Sequence, residues 1–234
     1  IAASLEWIDP FIMSQPSRIV NTIVNLSQNG ELFMHLGVST VETVIGFVSG
    51  LAAHGAHLAG KKVFLVGCGG AGSALATACC HEKAAALTVA DLDAARVAAL
   101  AERLAALGTG TQVTALAPVP EAAPGAGVCG ADLAASKARW GAAAEGAEIV
   151  VNATPMGLHE GEPSALPPSA FHPGQFVLDI VPTVHFPPTA AAARAAGAEA
   201  ADGLEFLVGQ GAKSFELWTG LVADRAAMLK AIRS

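Results

Sequence analysis

The stretch KKVFLVGCGGAG, residues 61–72, limits what this chain can fold into more than any other. KVFLVG is a short, apolar, β-branched run closed by glycine, which predicts a buried strand. AGSALATACC behind it predicts a helix, so Gly67, Gly69 and Gly72 fall in a strand-to-helix turn with G-x-G-x-x-G spacing. Gly67 permits the tight turn, Gly69 clears the backbone for close approach of a ligand, and Gly72 lets the helix pack hard on the strand. A strand that feeds a helix in this way opens a β-α-β unit, because the helix returns the chain for a parallel neighbour.

The pattern repeats downstream. ALTVAD predicts a second strand, LDAARVAALAERLAAL a helix with Asp93 as its N-cap, and TQVTAL a third strand. APVPEAAPGAGVCG reads as a loop, ADLAASKARWGAAAEG as a helix and AEIVVNAT as a strand. After the long loop PMGLHEGEPSALPPSAFHPG come the strand QFVLDIV and the proline-initiated helix PPTAAAARAAG. The tail reads as two helices broken around Trp218–Gly220, whose aromatic residues are taken as packing. Alternation of this kind gives an α/β fold, a doubly wound parallel sheet of Rossmann type with helices on both faces. Residues 1–60 differ. SRIVNTIVNLSQNGELFMHL reads as a hairpin turning at Asn29–Gly30, and a helix over about residues 39–58 leads into the first strand.

Composition narrows the function. With 53% hydrophobic and 14% charged residues the chain buries a core readily and is not disordered. A net charge of −7 without a Lys/Arg cluster argues against nucleic acid and anionic membranes as partners. No stretch is long and apolar enough for a membrane span, and no signal peptide is visible. Cys68, Cys79, Cys80 and Cys129 form no C-x-x-C pair and read as reduced thiols of a cytoplasmic protein. His54 and His57 lack a third ligand, so no metal site is expected.

The glycine turn suits a pyrophosphate, with the helix N-terminus supplying amide donors. Asp91 closes the second strand about twenty residues on, where a carboxylate accepts from an adenosine ribose. The same carboxylate repels a 2′-phosphate, and no arginine is its direct neighbour in the sequence. The expected cofactor is therefore NAD, with NADP second.

VVNATPMG at residues 150–157 ends a strand at the edge where doubly wound sheets bind ligands. Together with GCGGAGSA, DGLEFLVGQGAKSFELWTG and the earlier IVNTIV, it resembles the shikimate/quinate dehydrogenase family from about residue 18 to the C-terminus. The resemblance implies a two-domain oxidoreductase that passes a hydride between a hydroxy or keto cyclohexane(ene) carboxylic acid and nicotinamide. A Rossmann domain over 60–202 would hold the cofactor. Residues 1–59 would be a shortened or divergent remnant of the α/β substrate domain with its linking helix, and 203–234 helices packing toward it. By the same resemblance Gly67, Gly69, Gly70, Ala71 and Gly72 match the pyrophosphate loop, and Asp91 the position separating NAD from NADP users. Asn152, Thr154, Pro155, Met156 and Gly157 match the loop flanking the nicotinamide half, and Gly203 a glycine near its carboxamide. Asn21 and Gln210 match substrate-binding positions. A small-molecule acid is the implied partner, and a homodimer is expected from apolar surface left uncovered.

The acid/base pair has no such match. The family's Ser-x-Ser and its lysine-bearing N-V-T-x-P-x-K stretch are absent, and no lysine precedes Lys61. Aligning on Gly46–Phe47 puts Thr43 where the catalytic aspartate belongs. Glu42 lies one position off, about a quarter turn around a helix. It is either a replacement acid/base or a solvated carboxylate. His185, beside Pro182 where the family commonly has tyrosine, is either a pocket base or a loop histidine. Two other readings stay open: a catalytically silent NAD-binding module, and another Rossmann dehydrogenase such as a methylene-tetrahydrofolate dehydrogenase.

Overall fold

The computed structural model describes residues 54–122 and 130–233, together with 25, 27–29, 44, 46–48 and 50–52. The chain divides into two compact units, 1–42 and 43–234. In the second unit the order is β1 (Lys62–Val66), α1 (Gly70–His81), β2 (Ala86–Ala90), α2 (Ala94–Ala106), β3 (Gln112–Leu116), α3 (Leu133–Glu145) and β4 (Ile149–Asn152). It continues with β5 (Phe176–Asp179), α4 (Pro188–Ala195), β6 (Glu199–Ala201), α5 (Gly203–Thr219) and α6 (Arg225–Arg233).

The six strands are parallel in the order β3-β2-β1-β4-β5-β6. The first five strands are largely β-branched or apolar runs too short to be helices, and side chains alternate between faces along them. Leu65 and Leu87 join one core layer with Leu75 and Leu100, while Phe64 and Val66 join the other with Trp140 and Val150. Both layers are apolar because helices cover both faces, as a parallel sheet requires. Alanines make this close: Ala76, Ala78, Ala190 and Ala193 are fully buried where helices meet the sheet. Aspartates start four of the helices, Asp224 accepting from Ala227 N at 2.9 Å ahead of α6. Asp93 accepts from Ala95 N and Arg96 N, Asp132 from Ala135 N, and Asp202 from Glu205 N.

Three expectations need correction. Asn25, Ser27 and Gln28 are helical, and the Asn29 amide donates to the Asn25 carbonyl at 3.0 Å, so the hairpin reading fails there. Asn-Gly stops a helix as readily as it turns a hairpin. The helix ahead of β1 also ends before residue 58. Its last described helical residue is Ala52, and His54 and Gly55 form a turn with Gly55 at φ +69°. His54 and His57 are consequently not two positions of one helix face. Finally, the sheet has a sixth strand that local propensity does not predict, since Glu-Ala-Ala is a poor strand former and becomes a strand only by pairing with β5.

Candidate cofactor site

The sheet order reverses between β1 and β4, and the crevice at that switch point lies beyond the carboxyl ends of the strands. The glycine turn stands there. Gly67 has φ +104°, and a Cβ on it would fall 2.6 Å from the Ala153 carbonyl carbon and oxygen. A Cβ on Gly72 would lie 1.8 Å from the Gly67 oxygen. Both obstacles are backbone, so these two glycines are required by the fold itself. Gly69 and Gly70 are different, because a Cβ on either would meet nothing within 4 Å. Gly69 caps α1 with extended backbone and no side-chain hydrogen bond, and exposed Gly70 and Ala71 form the first turn. The first amides of a helix lack intrahelical partners, and the room beside Gly69 and Gly70 is what an anionic ligand needs.

Asp91 faces the turn. Its Oδ2 accepts from Cys68 N at 2.6 Å and its Oδ1 from Asp93 N at 3.0 Å, while Asp93 does the capping. Half-buried Asp91 keeps further lone pairs for hydroxyl donors. One reading from the sequence changes here: Arg96, five positions on, lines the same cleft, with its Nε 3.3 Å from Asp93 Oδ2. One turn of α2 brings it back. Cys68 is buried, and burial first, then the Asp91 charge, pushes its thiol up to about 12. It is a packing residue. Cys79 and Cys80 are free and buried as well.

The wall across the cleft is the 152–157 segment. Asn152 ends β4, is fully buried, and pairs in register with Asp179 at the tip of β5. Its Nδ2 donates to Asp179 Oδ1 at 3.0 Å, and its Oδ1 accepts from Thr154 N at 3.1 Å and Thr154 Oγ1 at 2.7 Å. Thr154 Oγ1 accepts from Met156 N at 3.3 Å. Gly157 has φ +97°, and a Cβ on it would meet Pro188 Cδ at 2.8 Å. Its amide donates to Glu162 Oε2 at 2.9 Å, and its carbonyl takes a 3.1 Å contact from His185 Nε2. With that nitrogen donating, His185 ties two loops together and its Nδ1 carries the lone pair. Pro155 is exposed and Met156 half-buried at the cleft lining.

Gly203 opens α5, where a Cβ would fall 2.2 Å from the Val181 oxygen, so the helix start is pressed on the chain leaving β5. Gln210 is half-buried farther along α5, and a Cβ on Gly46 would lie 2.3 Å from its Cγ. Asn21, Glu42 and Thr43 lie outside the described residues. Asp179, Trp140 and Arg96 were not singled out from the sequence. Asp179 carried the same signal as Asp91, an acidic residue closing an apolar strand, whereas Trp140 reaches the cleft only through packing.

The cleft formed by the glycine turn, Asp91, Arg96, Trp140 and the 153–156 loop encloses about 250 Å³. A larger cleft of about 390 Å³ lies at the opposite edge, among Lys61, Glu148, Gln175 and Glu199. An apolar cavity of about 190 Å³ lies among Phe47, Leu51, Phe176 and Phe206. Neither contains the glycine turn, and ligands of doubly wound sheets bind at the carboxyl edge. Among the described residues no group of three His, Cys, Asp or Glu could hold a metal ion, and no helix is long and apolar enough to cross a membrane.

A parallel sheet in this order, with a G-x-G-x-x-G turn at its switch point and an acid after β2, defines a dinucleotide-binding Rossmann domain. The family model for the Shikimate 5'-dehydrogenase C-terminal domain matches residues 203–233. Shikimate dehydrogenase (NADP(+)) of Moorella thermoacetica is 33% identical over 230 residues, covering 98% of this chain and 69% of the relative. Its counterpart in Halorubrum lacusprofundi is 31% identical over 232 residues, covering 99% and 74%. Quinate dehydrogenase from Corynebacterium glutamicum, solved in complex with NAD, superposes with TM-score 0.63 at 30% identity, over 80% of this chain and 60% of its own. Shikimate 5-dehydrogenase from Thermus thermophilus, solved with NADP(H) and shikimate, gives TM-score 0.62 at 29% identity, over 82% and 61%. The chain belongs to the shikimate/quinate dehydrogenase family of NAD(P)-dependent oxidoreductases. It spans about three fifths of the length of these solved relatives.

Proposed function

We propose that the chain binds NAD in the cleft at the β1–β4 switch point and transfers a hydride between nicotinamide and a shikimate- or quinate-like hydroxy acid. The observation that carries the reading is the Asp91 carboxylate held across the mouth of the glycine turn by Cys68 N. The first-turn amides of α1 would hold the pyrophosphate at Gly69–Gly70, and the 152–157 wall would flank the nicotinamide. Residues 60–202 would form the cofactor domain, 203–234 the helices leading back to the substrate side, and 1–59 the partial substrate domain. Asn21 and Gln210 would recognise substrate hydroxyls by hydrogen bonds, which neutral amides do well. They do not take protons at neutral pH. Oxidation of the carbinol sends a hydride to nicotinamide and the hydroxyl proton to a base. Glu42, Thr43 and His185 are the candidates for that role, and Thr43 lacks the pKa for it.

A second reading, NADP, is favoured by Arg96 in the same cleft and by the NADP(+) names of the curated relatives. Against it, Arg96 is ion-paired to Asp93, and Asp91 would stand beside the 2′-phosphate. NADH and NADPH formation are to be followed with shikimate and quinate, alongside direct binding of both cofactors. NAD is expected to bind at least about tenfold tighter, a difference of about 1.4 kcal/mol. Asp91→Ala should erase that margin. Tighter NADP binding, abolished by Arg96→Ala, would overturn the NAD assignment. Binding without turnover on either acid would leave a silent cofactor module.

A further inference from the structure

The wall of the cleft is organised by a residue that does not touch the cleft. Asp179 has no exposed surface, lies opposite Asn152 in the β4–β5 register, and accepts from Asn152 Nδ2 at 3.0 Å and Val181 N at 3.2 Å through one oxygen. Its other oxygen, Oδ2, is buried without a hydrogen bond of normal geometry. A buried carboxylate oxygen left in that state is costly, so the position does something besides filling space.

What it does follows from the two ends of an amide. Asn152 presents an NH2 group on one side and a carbonyl on the other, and nothing in its own backbone decides which faces where. Asp179 Oδ1 at 3.0 Å and the Met156 carbonyl at 3.4 Å both only accept, so the NH2 must face them, with Asp179 making the shorter bond. The carbonyl then faces the other way, where it takes both the amide and the hydroxyl of Thr154. The hydroxyl, its proton thus committed, is free to accept from Met156 N. One orientation therefore propagates through five hydrogen bonds into the 153–157 loop. With the amide reversed, the Asn152 NH2 would meet the Thr154 N–H donor to donor, and the loop would lose its anchor.

We propose that Asp179 is a positioning residue that sets the orientation of the Asn152 amide and, through it, the shape of the 153–157 wall of the cofactor cleft. Its effect on the bare protein is independent of the function proposed above, and only its effect on affinity rests on that reading.

The test is a cycle on the purified chain, read by amide exchange of Thr154 and Met156 normalised to the β1 amides. Asp179→Leu should raise exchange at these two amides by about tenfold or more over β1. Asp179→Asn, whose amide oxygen still accepts from Asn152, should stay within about threefold of the native protein. In an Asn152→Ala background Asp179→Leu should add almost nothing, because the route is already cut. Where the leucine variant does not fold, Asp179→Ala is read in the same way. The assignment is overturned if exchange rises equally in β1 and the loop, or if the two substitutions add independently. It is overturned too if Asp179→Asn loosens the loop as much as leucine does. NAD titration of the same variants should show weaker binding in the order of loop loosening. If the native chain binds neither dinucleotide, the functional reading fails while the exchange cycle still decides the role of Asp179.

Discussion

At the scale of single residues the cleft is built from exclusions. Gly72 is the plainest, because the atom a Cβ would strike is the Gly67 carbonyl oxygen, which belongs to the turn that must hold the ligand. Gly72→Ala is expected to push α1 off β1, cost about 3 kcal/mol or more, and abolish dinucleotide binding. Urea unfolding and NAD titration of the one variant check both. Gly69→Ala should leave stability nearly unchanged while weakening binding, since only a ligand competes for that space. Asp179 carries a pH signature as well. Burial raises its carboxyl from 3.8 to about 6, Asp202 pushes it the same way, and the hydrogen bonds from Val181 and Asn152, with the nearby Thr189 hydroxyl, pull it down. The folded state therefore binds this proton more tightly than the unfolded chain. Its contribution is fully present below pH 3.8 and is lost as pH rises through about 6. The loss is at most about 3 kcal/mol. Asp179→Asn, which stays neutral, should gain stability over the native protein across that window and hold the gain at pH 8. A difference in urea midpoint that does not change with pH would contradict this.

At the scale of elements, what the sequence made legible is whatever rests on local chemistry. Asp93 was readable as an N-cap because an aspartate preceded a helical period, and it accepts from two amides of the first turn of α2. The five longer strands were readable because their apolar runs are short and bounded. β6 was not, since a Glu-Ala-Ala strand exists only through its register with Phe176–Leu178. The tail shows the same division. The break at Gly220, in the left-handed region at φ +70°, was visible as a Trp-Thr-Gly stop, but the packing of its aromatics was misjudged. Phe206 is buried at 9% exposure whereas Trp218 is 80% exposed. α6 buries no residue fully, and Arg233 near its end donates to Asp202 Oδ2 at 2.6 Å and Glu205 Oε1 at 3.1 Å. That pair fastens the C-terminus to the start of α5. Arg233→Ala is expected to cost about 1 kcal/mol, the arginine being partly exposed, and to raise amide exchange across 225–233 selectively. Uniform exchange changes would show that α6 is held by something else.

For the whole molecule the decisive feature is a reversal in strand order, which brings the turn after β1 against the loop after β4 although Gly67 and Asn152 stand 85 positions apart in the chain. A ligand bridging those two segments stabilises the fold by mass action, by about 2.7 kcal/mol at a hundred times its Kd. NAD at that concentration should raise the midpoint of thermal unfolding by several degrees, and the Gly72→Ala variant should show no such rise. The sequence by itself determined the β-α alternation, the glycine turn, the acid after β2 and the family, because each is written in short local motifs and in their order along the chain. Tertiary structure alone decided that Arg96 shares the cleft with Asp91, that Trp140 lines it, and that Asp179 orients Asn152. Those relations join residues on different elements, and local propensity holds no record of which side chains a sheet brings face to face.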